Sequence, residues 1–184
     1  FNQPMVPISS QSLVSQYLPA TISPSVEGEW VWLGTKTLQF KPSQRLSMAT
    51  SYRVQLTESL QSEQQSSLKT PFSFEFKTSA IALKHRYPVG GPHVVRPAIF
   101  MTFDQAISPI ELAGHIELKS GKSVVPFRLL SDEEARKFPG YPEVAKHVML
   151  AIQPKEDLAK GSKVQVNIKA GATSAEGPRV TDVD

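Results

Sequence analysis

Four histidines are the first residues that could carry metal or acid–base chemistry: His85, His93, His115 and His147. Their spacings of 8, 22 and 32 residues match no ligand pattern on one helix or hairpin, so linker or surface histidines are expected. Gly121-Lys122-Ser123 has the form of the end of a phosphate-binding loop. That motif needs a glycine where Ile116 stands, so a tight turn between strands at Ile116–Leu118 and Val124–Phe127 is expected instead. Asn2 and Asp104 sit at matching places in two similar segments. Neither has the closely spaced oxygen ligands of a calcium loop, and turn capping is the expected role. Glu133 and Glu134 are adjacent, hence about 100° apart on a helix, and cannot converge on one substrate as acid and base. No Gly-x-Ser-x-Gly elbow occurs, and the chain has no cysteine, so thiolate chemistry and disulfides are excluded within it. No catalytic residue, metal ligand or cofactor site is therefore assigned, and a non-enzyme is expected.

Two aromatic pairs remain. Trp30 and Trp32 could form a platform for stacking sugars, but they alternate along a strand and read as core. Phe138 and Tyr141 lie beside Pro139, Gly140 and Pro142 in an apparent insertion. They either fold back on their own domain or contact a neighbouring one, and they are the candidate interdomain contact residues.

The elements that hold these residues follow from a repeat. Leu38-Gln39-Phe40-Lys41-Pro42, Leu46 and Tyr52-Arg53-Val54-Gln55-Leu56 recur as Leu150-Ala151-Ile152-Gln153-Pro154, Leu158 and Val164-Gln165-Val166-Asn167-Ile168, at a constant offset of 112. Phe1 to Met5 likewise matches Phe103 to Ile107, at an offset of 102. Each long segment reads as strand, proline-stopped corner and strand. The second strand alternates apolar and polar residues, as a sheet with one buried face requires. Glu29–Leu33 and Thr37–Phe40 flank Gly34 as a hairpin. Phe72, Phe74 and Phe76 alternate in a last strand, and Ala98–Phe103 opens the second repeat. Ser59 to Lys69 is polar and reads as an exposed loop. The extra residues of the second repeat start with Ser131 as N-cap of a short helix over 132–137.

The expected fold is all-β: two tandem immunoglobulin-like β-sandwich domains at 1–84 and 96–184, a linker at 85–95, and a short helical insertion in the second. The expected core comprises Trp30, Leu38, Phe40, Leu46, Tyr52, Val54, Phe74 and Phe76 in the first domain. In the second it comprises Ile152, Leu158, Val164, Val166 and Ile168. The strand preceding Phe103 has no counterpart before Phe1, and Phe72 moved by the offset falls on residue 184. The first strand of one domain and the last of the other are accordingly expected to be truncated.

Composition agrees with a folded, proline-rich β protein: 40% hydrophobic, 20% charged, 15 prolines among 184 residues. The net charge of +3 is spread evenly, with 7 basic and 5 acidic residues in 1–84 and 13 and 12 in 85–184. No basic run interleaved with aromatics marks a nucleic-acid surface. No run approaches the roughly 20 apolar residues of a membrane helix.

Phe1 to Met5, the sixteen residues Glu27 to Pro42 with their Trp-Val-Trp-Leu-Gly-Thr core, and Leu46, Ala49-Thr50 and Tyr52 together resemble bacterial Ig-like domains of the SbsA type. With Thr173-Ser174-Ala175-Glu176-Gly177-Pro178, the chain resembles the N-terminal region of bacterial α2-macroglobulin-like proteins. The resemblance implies a structural part of a large periplasmic, cell-envelope or secreted protease trap. Its partners would be neighbouring domains of the same chain and, through the parent protein, target proteases. Many such traps carry a Cys-Gly-Glu-Gln thioester, and this cysteine-free chain contains none. The alternatives are a spacer or adhesion module of a surface protein, or an accessory domain of a secreted carbohydrate-active enzyme.

Overall fold

A computed structural model describes residues 1–7, 19–68 and 70–181. The chain divides into two compact units, one of Phe1–Ser47 with Ser51–Thr78, the other of Met48–Thr50 with Ser79–Asp184.

In the first unit, β1 (Ala20–Ser23), β4 (Ser51–Leu56) and β5 (Ser73–Lys77) form one antiparallel sheet in the order β1-β4-β5. β2 (Gly28–Leu33) and β3 (Thr37–Pro42) form a separate hairpin. The hairpin pairs Trp30 with Phe40 and Trp32 with Leu38, so both tryptophans share one face. Trp32 is buried and meets the Phe1 ring at 5.6 Å, while the Trp30 and Phe40 rings lie 4.9 Å apart. β4 has one dry face: Tyr52 and Val54 are buried, and Ser51, Arg53 and Gln55 are exposed. The polar segment expected as an exposed loop is cinched by a bridge between Gln61 and Ser67, with Ser62 buried; Lys69 lies outside the described residues.

The second unit stacks two sheets. One has the order β10-β11-β7-β6, from β6 (Leu83–Tyr87), β7 (Ile99–Phe103), β10 (Phe127–Leu129) and β11 (Met149–Pro154). The other has the order β12-β8-β9, from β8 (Ile116–Ser120), β9 (Ser123–Val124) and β12 (Val164–Ile168). Between them lies a core that includes Ile99, Met101, Phe103, Leu118, Leu150 and Ile152. The Gly121 turn joins β8 to β9, as its Gly-Lys-Ser sequence suggests.

Four details depart from expectation. Residues 79–84, expected in the first domain, belong to the second unit, as do Met48–Thr50. Residues 85–87 of the expected linker belong to β6, which pairs with β7. β6 escapes a pattern-based reading because it is an edge strand whose Lys84, His85 and Arg86 are all exposed. A helix not anticipated, α1 (Pro109–Ala113), follows Ser108 with proline in its first turn. Finally, Phe74 is 49% and Val164 is 40% exposed, although both were expected in the core. Each lies in β5 or β12, the last strand of its sheet among the described residues. Trp30, Leu38, Phe40, Leu46, Phe76, Val166 and Ile168 are half-buried, and Leu158 and Ile152 are buried.

Candidate functional site

β7 is buried along its whole length. Ile99, Met101 and Phe103 face the inter-sheet core, so Ala98 and Phe100 point to the other side, with Met149 and Ala151 of β11 beside them. A sheet face this apolar needs a cover, and the insertion supplies it. α2 (Asp132–Ala135) begins with a capping box: the Glu134 amide donates to Ser131 Oγ at 3.2 Å, and the Ser131 amide donates to Glu134 Oε2 at 3.0 Å. Ala135 is fully buried under the helix, and Phe138 and Tyr141 pack beside it. The Tyr141 ring meets Phe100 edge-on at 6.0 Å, and Tyr87 stacks on Phe100 at 6.2 Å. Gly140, at φ +80, carries the chain across the Tyr87 ring, where a β-carbon would overlap ring atoms. Phe138 and Tyr141, the two candidate interdomain contact residues, thus pack against the outer face of their own unit's sheet.

The polar side of this cap is organised by Asp132. Its carboxylate accepts from Tyr141 Oη at 2.5 Å, Lys146 Nζ at 2.9 Å and Arg136 Nε at 3.0 Å. These three donors, the tyrosine hydroxyl foremost, hold its pKa well below the usual carboxylate range. The same bond pushes the Tyr141 phenol up. The Arg136 guanidinium also lies 4.6 Å from the centre of the Tyr141 ring. Beside it, Glu134 accepts from Arg128 Nη1 at 2.6 Å, which with the Ser131 amide lowers its pKa. A carboxylate so acidic and so fully donated to is a poor proton acceptor near neutral pH. The cluster fastens a loop; it does not assemble a nucleophile and a base.

A second polar cluster lies in the Ser-Ala-Glu-Gly-Pro segment. Ser174, buried, donates to the Ala106 carbonyl at 3.1 Å and accepts from the Glu176 amide at 3.0 Å. The Glu176 carboxylate accepts from the amides of Ala106 at 2.9 Å and Met48 at 3.1 Å. Gly177 passes so close to Thr50 Oγ1 and the carbonyls of Met48 and Ala49 that no β-carbon fits there. Two segments singled out in the sequence, Ala49-Thr50 and Ser174 to Pro178, therefore meet inside the second unit, bound by backbone groups. Their separation of more than a hundred residues hid this in the sequence.

Asp104 accepts from the Ala82 amide at 2.9 Å and from Gln105 Nε2 at 3.1 Å, so it ties the start of the second unit to the end of β7. The histidines stay apart: His85 in β6, His93 against the Gly90 carbonyl, His115 beside Gly171, His147 in a 3-10 turn (Lys146–Val148). Among the described residues no three His, Cys, Asp or Glu side chains gather where they could hold a metal ion.

Comparison with known proteins agrees with this geometry. The chain is 23% identical over 156 residues to an alpha-2-macroglobulin homolog of Yersinia pestis, a stretch that covers 84% of this chain and 8% of that protein. Residues 1–78 match the bacterial Ig-like domain family, a stretch that spans the whole of the first unit. The chain is an all-β protein of antiparallel sheets with few helices, and its first 78 residues are similar to bacterial Ig-like domains.

Proposed function

We infer that this chain is a non-catalytic structural segment of a large bacterial α2-macroglobulin-like protein that traps proteases in the periplasm, at the cell envelope or after secretion. One observation carries the reading. The similarity to the Yersinia pestis protein runs through 84% of this chain, across both units, and not through an Ig-like domain alone. The two polar clusters support it, because each joins backbone or loop to sheet and neither presents a group suited to bond making. In this role the modules hold neighbouring domains at fixed spacing, and capture of the protease falls to other parts of the parent protein. Among the described residues no helix is long and apolar enough to cross a membrane.

The test uses the full-length gene product. It is incubated with a protease of broad specificity, and cleavage of a large protein and of a small chromogenic peptide is followed. A trap blocks the first and spares the second. Equal cleavage of the large substrate with and without the product overturns the reading.

A further inference from the structure

The two repeats build the same loop after their matching strands β4 and β12, closed by a bridge at Gln61–Ser67 in one and Thr173–Val180 in the other. In the first repeat the Met5 amide donates to the Thr35 carbonyl and the Glu63 amide to the Pro4 carbonyl. In the second the Ile107 amide donates to the His147 carbonyl and the Ala175 amide to the Ala106 carbonyl. These are the same bonds moved by the offsets of 102 and 112. Ser62 and Ser174, again 112 apart, are both buried. Each hydroxyl oxygen accepts an amide of its own loop, from Ser66 at 3.2 Å and from Glu176 at 3.0 Å. Backbone groups and one serine therefore close the loop in both repeats.

The repeats differ in a carboxylate. Moved by 112, Glu176 falls on Gln64. Ala106, whose amide Glu176 accepts, falls on Pro4, which has no amide hydrogen. The first repeat makes its loop without either half of that bond, so the loop's own fold does not require Glu176. Its other oxygen accepts from the Met48 amide at 3.1 Å. Met48–Thr50 belongs to the second unit, but Ser47 before it and Ser51, the first residue of β4, belong to the first. Two more backbone bonds hold the segment, from the Ala49 amide to the Ser79 carbonyl and from the Arg179 amide to the Ala49 carbonyl. Ala49 is fully buried there with a left-handed backbone at φ 51, a conformation that persists only where the surroundings impose it.

We propose that Glu176 is a coupling residue: it fastens the β3–β4 connection into the second unit, so the first unit cannot open freely without breaking a bond in the second. The route is covalent, because β4 continues directly from Thr50. Opening the first unit sets Ser47 and Ser51 loose. If Met48–Thr50 stays fastened between two loose ends, the chain forgoes backbone freedom it would otherwise gain. If the segment leaves, the charge-assisted bond to Glu176 is lost. Opening is opposed either way. The inference does not depend on the protease-trap reading.

The test is amide hydrogen exchange in the intact chain without denaturant, read at Met48 and at the buried residues Tyr52 and Val54 of β4, the middle strand of its sheet. In Glu176→Gln the Met48 amide should exchange about tenfold faster, and the β4 amides should follow by about the same factor, the worth of one charge-assisted bond in an opening equilibrium. Glu134→Gln is the control. That carboxylate also accepts a backbone amide in the second unit, from Ser131, but takes no part in holding residues 48–50. It should leave β4 exchange within about twofold of the unaltered chain. Glu176→Asp, one methylene shorter, reaches one of the two amides and should speed β4 exchange by a smaller factor, which keeps the test readable if the glutamine variant does not fold. The proposal is overturned by unaltered exchange at β4 in the folded variants at 176, by unaltered exchange at Met48, or by an equal acceleration of β4 in Glu134→Gln.

Discussion

Replacing Gly140 by alanine tests how the insertion docks on its sheet. Two costs add. At φ +80 an alanine adopts a left-handed backbone that disfavours it by about 1–2 kcal/mol. The new methyl also enters the Tyr87 ring, which is itself stacked on the buried Phe100 and cannot retreat freely. Overpacking of this kind costs about 1–3 kcal/mol. Gly140→Ala should therefore destabilise the second unit by about 2–5 kcal/mol. Gly161 is the control: its φ of +73 imposes the same backbone cost, but its added methyl meets nothing within 4 Å. Gly161→Ala should accordingly cost about 1–2 kcal/mol. The assay is urea unfolding followed by far-ultraviolet circular dichroism, since both tryptophans lie in the first unit and report on it alone. In a Tyr87→Ala background the ring is gone and Gly140→Ala should cost no more than the control. Equal costs for the two glycine variants, or an excess at Gly140 that persists without the ring, would refute this packing.

Further outcomes follow from the same geometry. Ile152→Ala and Leu158→Ala, at buried positions of the second unit, should each lower its stability by about 2–5 kcal/mol in urea unfolding, whereas Val164→Ala, at an exposed position, should cost under about 1 kcal/mol. The Asp132 pKa is depressed in the folded chain, so its contribution is complete above the ordinary aspartate value of 3.8 and is lost as pH falls below it. The stability gap between the parent and Asp132→Asn should then be widest near neutrality and narrow below about pH 4 in urea midpoints measured across pH. The isolated chain should neither hydrolyse peptide, ester or glycoside substrates nor inhibit a protease in a turnover assay.

Legibility in the sequence followed the physics of each element. β3, β4, β11 and β12 were readable because buried strands repeat their apolar residues at a spacing of two or in short runs, and the offset of 112 applied that evidence twice. β6 was not, because Lys84, His85 and Arg86 on an edge leave no alternation, and the Pro-Gly-rich residues after it looked like a linker. α1 has five residues, too few for a helical period to show. Within the insertion, the Ser131 cap and the aromatic residues were visible as local signals. The central place of Asp132 was not, since its partners Tyr141 and Lys146 lie beyond the Pro-Gly-Tyr-Pro bend. Glu176 was seen only as part of a familiar string, because its partners Ala106 and Met48 are 70 and 128 residues away.

The two-sided burial of β7 ties the insertion to four other positions in the chain. Ala98, Phe100, Met149 and Ala151 tolerate an apolar outer face only while residues 131–141 lie over it. Excising that segment and closing the gap would leave Phe100 and Met149 facing water, as a patch able to recruit other molecules. In relatives that lack the insertion, polar side chains should therefore stand at those four positions. A sequence that gained the insertion could let them drift toward oil, after which its removal would no longer be a neutral step.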